Sequence, residues 1–379
     1  MSMYGIAVIP VLVWLYLLMG RGLFWRVAAQ RAAVADTAVA RRVVVVIPAR
    51  NEAPVIGTAV ASLAHQEFDG DIHLIVIDDG STDGTAEVAA AAARAAGALP
   101  RLKVLRGTGP PNGWTGKLWA LSQGVTAAAE LGADYLLFSD ADTCHGPASV
   151  ASLVAHAEAG ERDLVSHMVK LSTATVAERL LIPAFVFFFF KLYPPAWIAD
   201  PGRKSAAAAG GCILIRPQAL ARAGGLQAIR SHIIDDCALA RAIKHSGGRI
   251  SLQLAADTRS LRVYGSSGEI GAMISRTAFA QLRHSYVALA ATLLGLFLTY
   301  LLPAGLLVSG DAPLVYLGLI ALLLMSLCYL PMVRFYGLSP LFSVCLPLIA
   351  TFYAGAVIHS AVQYARGTGG IWKGRVQDP

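Results

Sequence analysis

The stretch Asp134-Tyr-Leu-Leu-Phe-Ser-Asp-Ala-Asp142 joins a short apolar run to two carboxylates that are one residue apart. A run of aromatic and aliphatic residues bounded by polar ones is typical of a buried strand. Asp140 and Asp142 then follow the end of that strand, and carboxylate oxygens are the ligands that Mg²⁺ and Mn²⁺ prefer. By itself this spacing is a weak signal, because aspartate is common in loops. The stretch predicts a strand that ends in a divalent-metal site able to hold a diphosphate.

Around this stretch, short β-branched runs alternate with alanine-rich stretches of helical periodicity. That alternation is typical of a largely parallel sheet covered by helices. The predicted strands are 43–47, 73–77, 102–105 and 135–138, and the predicted helices are 53–66, 83–97 and 116–130. Residues 43–275 are therefore expected to form one α/β domain.

Polar side chains directly follow three of the predicted strands. They are Pro48, Arg50 and Glu52 after the first strand, Asp78 and Asp79 after the second, and Asp140 and Asp142 after the fourth. Ligands of open α/β sheets bind beyond the carboxyl ends of the strands, so these residues are expected to line one crevice. Alone, the stretch 78–84 would equally suit a turn followed by a helix cap. Together, and in this order, the three loops indicate a nucleotide-sugar site.

Two other kinds of nucleotide site are excluded because their sequence motifs are missing. A dinucleotide-binding fold would have a GxGxxG motif there, whereas this chain has Pro48-Ala-Arg-Asn-Glu52. A Walker loop is also missing, because Gly116-Lys117 is followed by Leu118 and preceded by Pro111 at the first glycine position. The same absence argues against nucleotidyl transfer on a similar sheet.

Two predicted helix starts carry charged residues suited to the same chemistry. Lys117, in Gly113-Trp-Thr-Gly-Lys-Leu-Trp-Ala120, is expected either beside a phosphate at a positive helix end or in solvent. Asp235 and Asp236 open an apolar helix, where a carboxylate acts either as a general base toward a hydroxyl or as a partner of the helix dipole. Gly210 and Gly211 allow the backbone to approach a substrate closely.

The composition places part of the chain in a membrane, because 56% of the residues are hydrophobic and only 15% are charged. Uncharged runs cover 1–20, 285–310, 312–333 and 335–365, each about long enough to cross a bilayer. We expect an N-terminal transmembrane anchor at 1–22, about three helices in 285–365 and a basic tail at 366–379. Arginines that follow the first run indicate a cytoplasmic domain of a multi-pass inner-membrane protein.

Two points of the membrane topology stay open. The segment 180–198 contains a long apolar run, but Lys191 and two prolines interrupt it, so we expect an interfacial segment rather than a span. A buried helix of the soluble core is the alternative. Three crossings after a cytoplasmic domain would leave the tail outside, whereas Arg366, Lys373 and Arg375 favour the inside.

The net charge of +7 does not indicate a nucleic-acid partner. The arginines cluster beside apolar segments, and no basic stripe is interleaved with aromatic residues. Attraction to anionic lipid headgroups is the simpler account of the charge.

Taken together, the motifs resemble the family 2 glycosyltransferases, which have a GT-A fold. The matching pieces are Pro48–Glu52, Asp78–Thr85, Asp140–Asp142 and Asp235-Asp236, the last where the family usually has Glu-Asp. The roles implied by the resemblance are nucleoside contact for Asp78 and Asp79, ribose or metal contact for Asp140, metal binding for Asp142, and the base of an inverting displacement for Asp236. Asp235 stands at the position of the family's glutamate.

Within that family, three stretches look like the hopanoid-biosynthesis-associated glycosyltransferases. They are Gly113–Ala120, Arg276–Ser285 and Trp372–Arg375. This resemblance implies a lipid acceptor, acceptor-side roles for Arg283, Trp372 and Arg375 beside Gly210 and Gly211, and a nucleotide-sugar donor, first of all a UDP-sugar. The QxxRW signature of processive synthases is missing, because Gln281-Leu-Arg-His-Ser285 has no tryptophan. A single transfer per acceptor is therefore expected, and the alternative is a non-catalytic membrane scaffold that keeps the fold.

Overall fold

The protein is described by a computed structural model that covers residues 3–27, 29–30 and 40–370. It divides into two compact units. The first, which we call the sheet unit, comprises Ala28–Ser172 and Trp197–Arg262. The second, the helical unit, comprises Met1–Val27, Thr173–Ala196 and Val263–Pro379.

The described residues of the sheet unit form a nine-stranded sheet. The strands are β1 (Ala29–Gln30), β2 (Arg42–Ala49), β3 (Asp71–Asp78), β4 (Leu102–Arg106), β5 (Tyr135–Ser139), β6 (Thr143–Cys144), β7 (Leu164–Lys170), β8 (Cys212–Ile215) and β9 (Ile250–Ser260). Their order is β1-β9-β7-β8-β5-β2-β3-β4, and β6 pairs with β9. All pairs are parallel except those of β8 with β5 and β7 and that of β6 with β9. The mostly parallel α/β fold is thus confirmed.

Helices alternate with these strands and continue through the helical unit. They are α1 (Met3–Met19), α2 (Ala53–Ala64), α3 (Thr85–Ala95), α4 (Gly116–Ala129), α5 (Ser149–Ala159), α6 (Val176–Leu192), α7 (Pro195–Ala199), α8 (Pro217–Arg222), α9 (Asp235–His245), α10 (Ser267–Gln281), α11 (Tyr286–Leu296), α12 (Leu302–Leu306), α13 (Ala312–Phe335) and α14 (Leu346–Ala365). Each strand and helix that we predicted between residues 43 and 138 is confirmed, with ends that differ by at most two residues.

The register of the central strands brings the polar loops to one edge of the sheet. β2 lies between β3 and β5 and is parallel to both. It is buried on both faces, which explains its uninterrupted apolar run. Ala49 at the end of β2 pairs with Asp78 at the end of β3. The loops after β2, β3 and β5 therefore leave the sheet at the same edge.

α4 packs very closely on this sheet because of Gly124. A Cβ atom at this position would lie 2.3 Å from Cγ1 of Val46 on β2 and 3.3 Å from Cδ1 of Ile77 on β3. Thr115 caps the helix, since its Oγ1 accepts a hydrogen bond from the Leu118 amide. Glycine at 124 thus lets α4 pack closely on the sheet. This close packing sets the distance from the sheet to the first turn of α4, which carries Lys117.

The helical unit contains three described helices that are long and apolar enough to cross a membrane: Tyr286–Leu306, Ala312–Phe335 and Pro340–Ala365. They correspond to the three C-terminal uncharged runs. α1 has 17 residues and contains Pro10, so it lies at the short end of the spanning range. Its role as an anchor stays a prediction.

α6 is the helix formed by most of the interrupted apolar segment. It begins with a capping box between Thr175 and Glu178 and packs against α10, α13 and α14 of its own unit. Lys191, near its end, donates a 2.8 Å hydrogen bond to the hydroxyl of Tyr300 and lies over the ring of Phe188. α6 is thus a buried helix of the helical unit and not of the sheet unit's core. Whether it lies at a membrane interface stays a prediction.

Candidate functional site

One pocket of the sheet unit gathers charged side chains at the end of β5 and at the starts of α4 and α9. Its lining residues are Pro48, Lys117, Leu118, Leu121, Phe138, Ser139, Asp140, Gly210, Ile213, Leu226, Ile229, Asp235, Asp236 and Leu239. The apolar members surround one lysine and three aspartates. The pocket therefore combines a low-polarity wall with a concentrated set of charges.

Lys117 lies at the centre of these charges. Its Nζ is 2.8 Å from Oδ1 of Asp140 and 3.6 Å from Oδ2 of Asp235. Burial alone would lower the pKa of Lys117, but the carboxylates of Asp140 and Asp235 outweigh it and raise that pKa above its ordinary value. Lys117 is therefore a charged partner of carboxylates and not the solvated lysine of the alternative interpretation. Its predicted contact with a donor phosphate stays a prediction.

Asp236 is held in place by two backbone amides. Its Oδ2 accepts a hydrogen bond from the Gly210 amide at 2.9 Å, and its Oδ1 accepts one from Cys237 at 2.7 Å. Burial and the charge of Asp235 raise the pKa of Asp236 to about 6, while the charge of Lys117 opposes this rise. A fixed carboxylate with a pKa near neutrality has the properties of a general base.

Gly210 and Gly211 connect the two acidic elements of the site. While Gly210 donates to Asp236, the carbonyl of Gly211 accepts a 3.4 Å hydrogen bond from the Asp140 amide. A Cβ atom at Gly210 would lie 3.2 Å from Nζ of Lys117 and 3.4 Å from Oδ2 of Asp236. Gly210 is therefore close enough to the pocket to shape it, and the predicted acceptor-side role of this diglycine stays a prediction.

Asp142 forms its ion pair with a different basic side chain from the one that pairs with Asp140. Its Oδ2 is 2.9 Å from Nε of Arg262, and the same guanidinium lies 3.1 Å from Oε1 of Glu52. Arg262 was not predicted, and it reaches Asp142 because β6, directly after the two aspartates, pairs with the end of β9. A two-residue strand such as β6 leaves no periodicity in the sequence from which this pairing could be read.

Asp140 and Asp142 by themselves could supply only part of a metal's ligands. Within the described part of the chain, no group of three or more His, Cys, Asp or Glu side chains could hold a metal ion. Mg²⁺ and Mn²⁺ in nucleotide sites are commonly bound by one or two carboxylates, with substrate phosphates and water as the other ligands. Asp140 and Asp142 therefore fit a metal that arrives with a diphosphate.

The loop after β3 is fixed by its own hydrogen bonds and by Arg50. Asp78 accepts a hydrogen bond from the Ser81 amide, which is typical of a turn. Asp79 is buried, and its carbonyl accepts a 2.6 Å hydrogen bond from Arg50. Both aspartates lie at the predicted sheet edge but outside the lining of the charged pocket.

The predicted site residues thus fall into several groups. Pro48, Lys117, Asp140, Gly210, Asp235 and Asp236 meet in one pocket. Glu52 and Asp142 meet through Arg262. Arg283 belongs to the helical unit, where it has a left-handed φ of 53° after α10. Trp372 and Arg375 lie outside the described residues, as does most of the predicted basic tail, so their roles stay predictions.

Comparison with known families fits this arrangement of loops. Residues 44–222 match the family model described as glycosyl transferase family 2. The match covers a little under half of the chain, and over that range the chain is similar to the family 2 glycosyltransferases. The matched range covers β2 through β8 and the loops that contain Asp78, Lys117 and Asp140. The matched residues stop before Asp235 and Asp236.

Solved structures are similar to the whole chain as well as to part of it. The mannosyltransferase PcManGT from Pyrobaculum calidifontis, in complex with GDP-Man and Mn²⁺, is 19% identical, with 96% of this chain and 98% of that one covered and a TM-score of 0.60. Glucosyl-3-phosphoglycerate synthase from Mycobacterium tuberculosis, with Mn²⁺, UDP-glucose and phosphoglyceric acid, is 22% identical over 64% of this chain and 79% of that one, with a TM-score of 0.41. No curated protein sequence matches the chain. The first of these likenesses supports a GT-A fold.

Proposed function

We propose that this protein is a membrane-bound inverting glycosyltransferase that moves a sugar from a nucleotide-sugar donor to a lipid acceptor. The observation that supports it most directly is the pocket shared by Asp140 and Asp236, in which Lys117 contacts Asp140 and Asp235. A carboxylate suited to a metal and one suited to a base are thus close together. Displacement at a sugar carbon needs both carboxylates. The metal-binding carboxylate helps the diphosphate to leave, and the base removes the proton of the acceptor.

The proposed displacement assigns a separate task to each side of the pocket. An acceptor oxygen attacks the anomeric carbon, and the bond from that carbon to the diphosphate breaks on the opposite face. The electron pair of the broken bond stays on the diphosphate, while the acceptor proton passes to a carboxylate oxygen of Asp236. The Gly210 and Cys237 amides hold this carboxylate and fix its orientation. Asp235 adds negative charge beside it and thereby keeps it basic.

A divalent metal bound by Asp140 and Asp142 would supply positive charge for the leaving diphosphate. Mn²⁺ accompanies the donor GDP-Man in the similar mannosyltransferase and UDP-glucose in the similar synthase. We therefore propose Mn²⁺ or Mg²⁺ as the cofactor. A UDP-sugar and a GDP-sugar are the donors to test first. The loop of Asp78 and Asp79 is proposed to contact the nucleoside.

We propose a lipid acceptor at the cytoplasmic leaflet of the inner membrane. The support is the three long apolar helices found in the described part of the chain and the arginines that follow the first apolar run. The resemblance to the hopanoid-associated enzymes makes a hopanoid or another isoprenoid lipid the first acceptor to test. Mass analysis of the lipids of a deletion strain is the direct measurement, and unchanged hopanoids there would contradict this acceptor.

The catalytic proposal can be tested with purified full-length protein and labelled nucleotide sugars, with and without Mn²⁺. Asp142→Asn is expected to abolish metal-dependent donor consumption, and Asp236→Asn to slow transfer by about 10²-fold or more. Asp69→Asn is the matched control, because Asp69 is exposed just before β3, at the opposite edge of the sheet. Donor consumption that is unaffected by both substitutions would refute the assignment of the site. Absence of any donor consumption in the unmodified protein would favour the scaffold alternative.

A further inference from the structure

The buried side chain of His145 lies at the end of the loop that carries Asp140 and Asp142. Ser139 precedes Asp140, and His145 follows β6, so these two residues bracket the loop 140–144. Oγ of Ser139 lies 2.9 Å from Nε2 of His145. Both side chains are buried, with exposed fractions of 2% and 4%. The base of the loop is therefore joined by a hydrogen bond that solvent does not reach.

The surrounding hydroxyl groups fix how this histidine is protonated. One arrangement of hydrogens satisfies all of these contacts: Ser139 donates to the carbonyl of Asp140 at 3.3 Å and accepts from Nε2–H of His145. Nδ1 then accepts from the hydroxyl of Ser149 at 3.3 Å, and Ser149 accepts from Thr258 at 3.1 Å. Burial lowers the pKa of His145 to about 4, so the ring is neutral near pH 7. Oγ of Ser139, both ring nitrogens of His145 and Oγ of Ser149 thereby each have a partner, as buried polar groups require.

The same histidine is also fixed through its backbone. Its amide donates a 3.0 Å hydrogen bond to Oγ of Ser62 on α2. The next residue, Gly146, is held by Gln66 of the loop after α2, whose Nε2 donates to the Gly146 carbonyl at 2.8 Å. A Cβ atom at Gly146 would lie only 2.6 Å from the carboxylate of Asp257. The far end of the loop thus has little room to move.

We propose that His145 is a positioning residue, whose neutral ring holds Ser139 and thereby keeps the loop 140–144 in the shape that binds the metal and the donor diphosphate. This inference rests on the proposed function, because it assumes a metal at Asp140 and Asp142. His145 itself does not touch the metal or the reacting atoms. It acts through Ser139, in the way that groups behind metal ligands orient those ligands.

Substitutions of His145 can separate the hydrogen bond from the volume of the ring. The amide nitrogen of glutamine reaches about as far as Nε2, whereas that of asparagine reaches only as far as Nδ1. His145→Asn is therefore expected to weaken Mn²⁺ binding about tenfold, and His145→Gln to restore most of the affinity. Ser139→Ala removes the same hydrogen bond from the other side and is expected to match His145→Asn.

The readout is Mn²⁺ binding to purified full-length protein, measured by electron paramagnetic resonance with Mn²⁺ alone and with UDP or GDP added. Ser149→Ala is the control, because it removes the hydrogen bonds of Ser149 with Nδ1 of His145 and with Thr258 but leaves the contact of His145 with Ser139 intact. It is expected to lower the thermal midpoint without weakening Mn²⁺ binding. If His145→Asn does not fold, Ser139→Ala and His145→Gln still test the hydrogen bond.

Asp142→Asn separates failure of this inference from failure of the proposed function. If Asp142→Asn leaves Mn²⁺ binding unchanged, the metal assignment is wrong and the inference falls with it. If Asp142→Asn abolishes binding while Ser139→Ala and His145→Asn bind Mn²⁺ like the unmodified protein, the metal assignment stands and His145 is only a stabilising residue. Tenfold weaker binding in both variants, with recovery in His145→Gln, would support the positioning role.

Discussion

The charges around Lys117 determine the protonation state of the pocket. Its Nζ contacts Asp140 and Asp235, and its positive charge opposes the rise in the pKa of Asp236 that burial and Asp235 cause. A cation shared among carboxylates links the two halves of the proposed reaction, because Asp140 belongs to the donor side and Asp236 to the acceptor side. A substitution on one side is therefore expected to affect the chemistry on the other.

The first prediction concerns pH and follows from Asp236. A general base works only when it is deprotonated, and the pKa of Asp236 is raised to about 6. We expect kcat/KM to be constant above about pH 7 and to fall about tenfold per pH unit below about pH 6. Lys117→Met should move this acid limb to higher pH, since the charge that opposes the raised pKa is lost. A flat profile between pH 5 and 7 would remove Asp236 from the role of base.

The second prediction concerns Arg262, which pairs with Asp142, the proposed metal ligand. Arg262 is 41% exposed, and exposed ion pairs are worth up to about 1 kcal/mol. Arg262→Gln is therefore expected to lower the half-saturating Mn²⁺ concentration by up to about fivefold, because an internal competitor is removed. Paramagnetic resonance of bound Mn²⁺ measures this directly. Weaker binding of Mn²⁺ would show instead that Arg262 supports the metal site.

At the scale of single elements, the third prediction concerns the packing of α4 against the sheet. Gly124→Ala would place a methyl group 2.3 Å from Val46, and overpacking of this kind costs about 1–3 kcal/mol. We expect a lower thermal midpoint together with weaker donor binding, because α4 must move away from β2 and carry Lys117 with it. Gly109→Ala is the control, since its Cβ would meet no atom within 4 Å. Equal behaviour of the two variants would contradict this packing argument.

The fourth prediction concerns the start of α6, where Glu178 is fully buried. Its two carboxylate oxygens accept hydrogen bonds from the amides of Thr175 and Tyr264, at 3.0 and 2.7 Å. Glu178→Ala would leave both amides without this partner, which is expected to cost about 1–3 kcal/mol in unfolding free energy. Glu269→Ala, at an exposed glutamate in the first turn of α10, is the matched control. Thermal unfolding in detergent should separate the two variants clearly.

The sequence predicted those strands and helices whose conformation is determined by residues close to them in the chain. β2 and β3 are apolar runs beside turn residues, and α2 buries Ile56, Ala59, Val60 and Leu63 at helical spacing. β8 was not predicted, because a four-residue strand that pairs antiparallel between β5 and β7 depends on distant partners. The same reason applies within the site. Lys117 and Asp236 lie in local motifs, whereas Arg262 and His145 act through contacts that only the folded sheet creates.

At the scale of the whole molecule, the fifth prediction concerns membrane topology. If the sheet unit is cytoplasmic and Tyr286–Leu306 crosses the membrane, the exposed loop at Ser309 lies outside. In a cysteine-free background, a membrane-impermeant maleimide should label Ser309→Cys in intact cells but not Asp69→Cys. Labelling of Thr368→Cys decides the side of the tail, where the basic residues and three crossings disagree. The reverse pattern at Ser309 and Asp69 would overturn the cytoplasmic assignment.

The path of the chain through α6 matters for anyone who wants a water-soluble catalytic fragment. The chain leaves the sheet unit after Ser172 and re-enters it at Trp197, so α6 is carried along in any fragment that ends at Arg262. Such a fragment would lack α10, α13 and α14 and would expose the phenylalanines that these helices cover. An uncovered aromatic surface of this kind promotes aggregation. Shortening the gene at its 3′ end is therefore expected to yield inclusion bodies, and excision of 173–196 would have to accompany it.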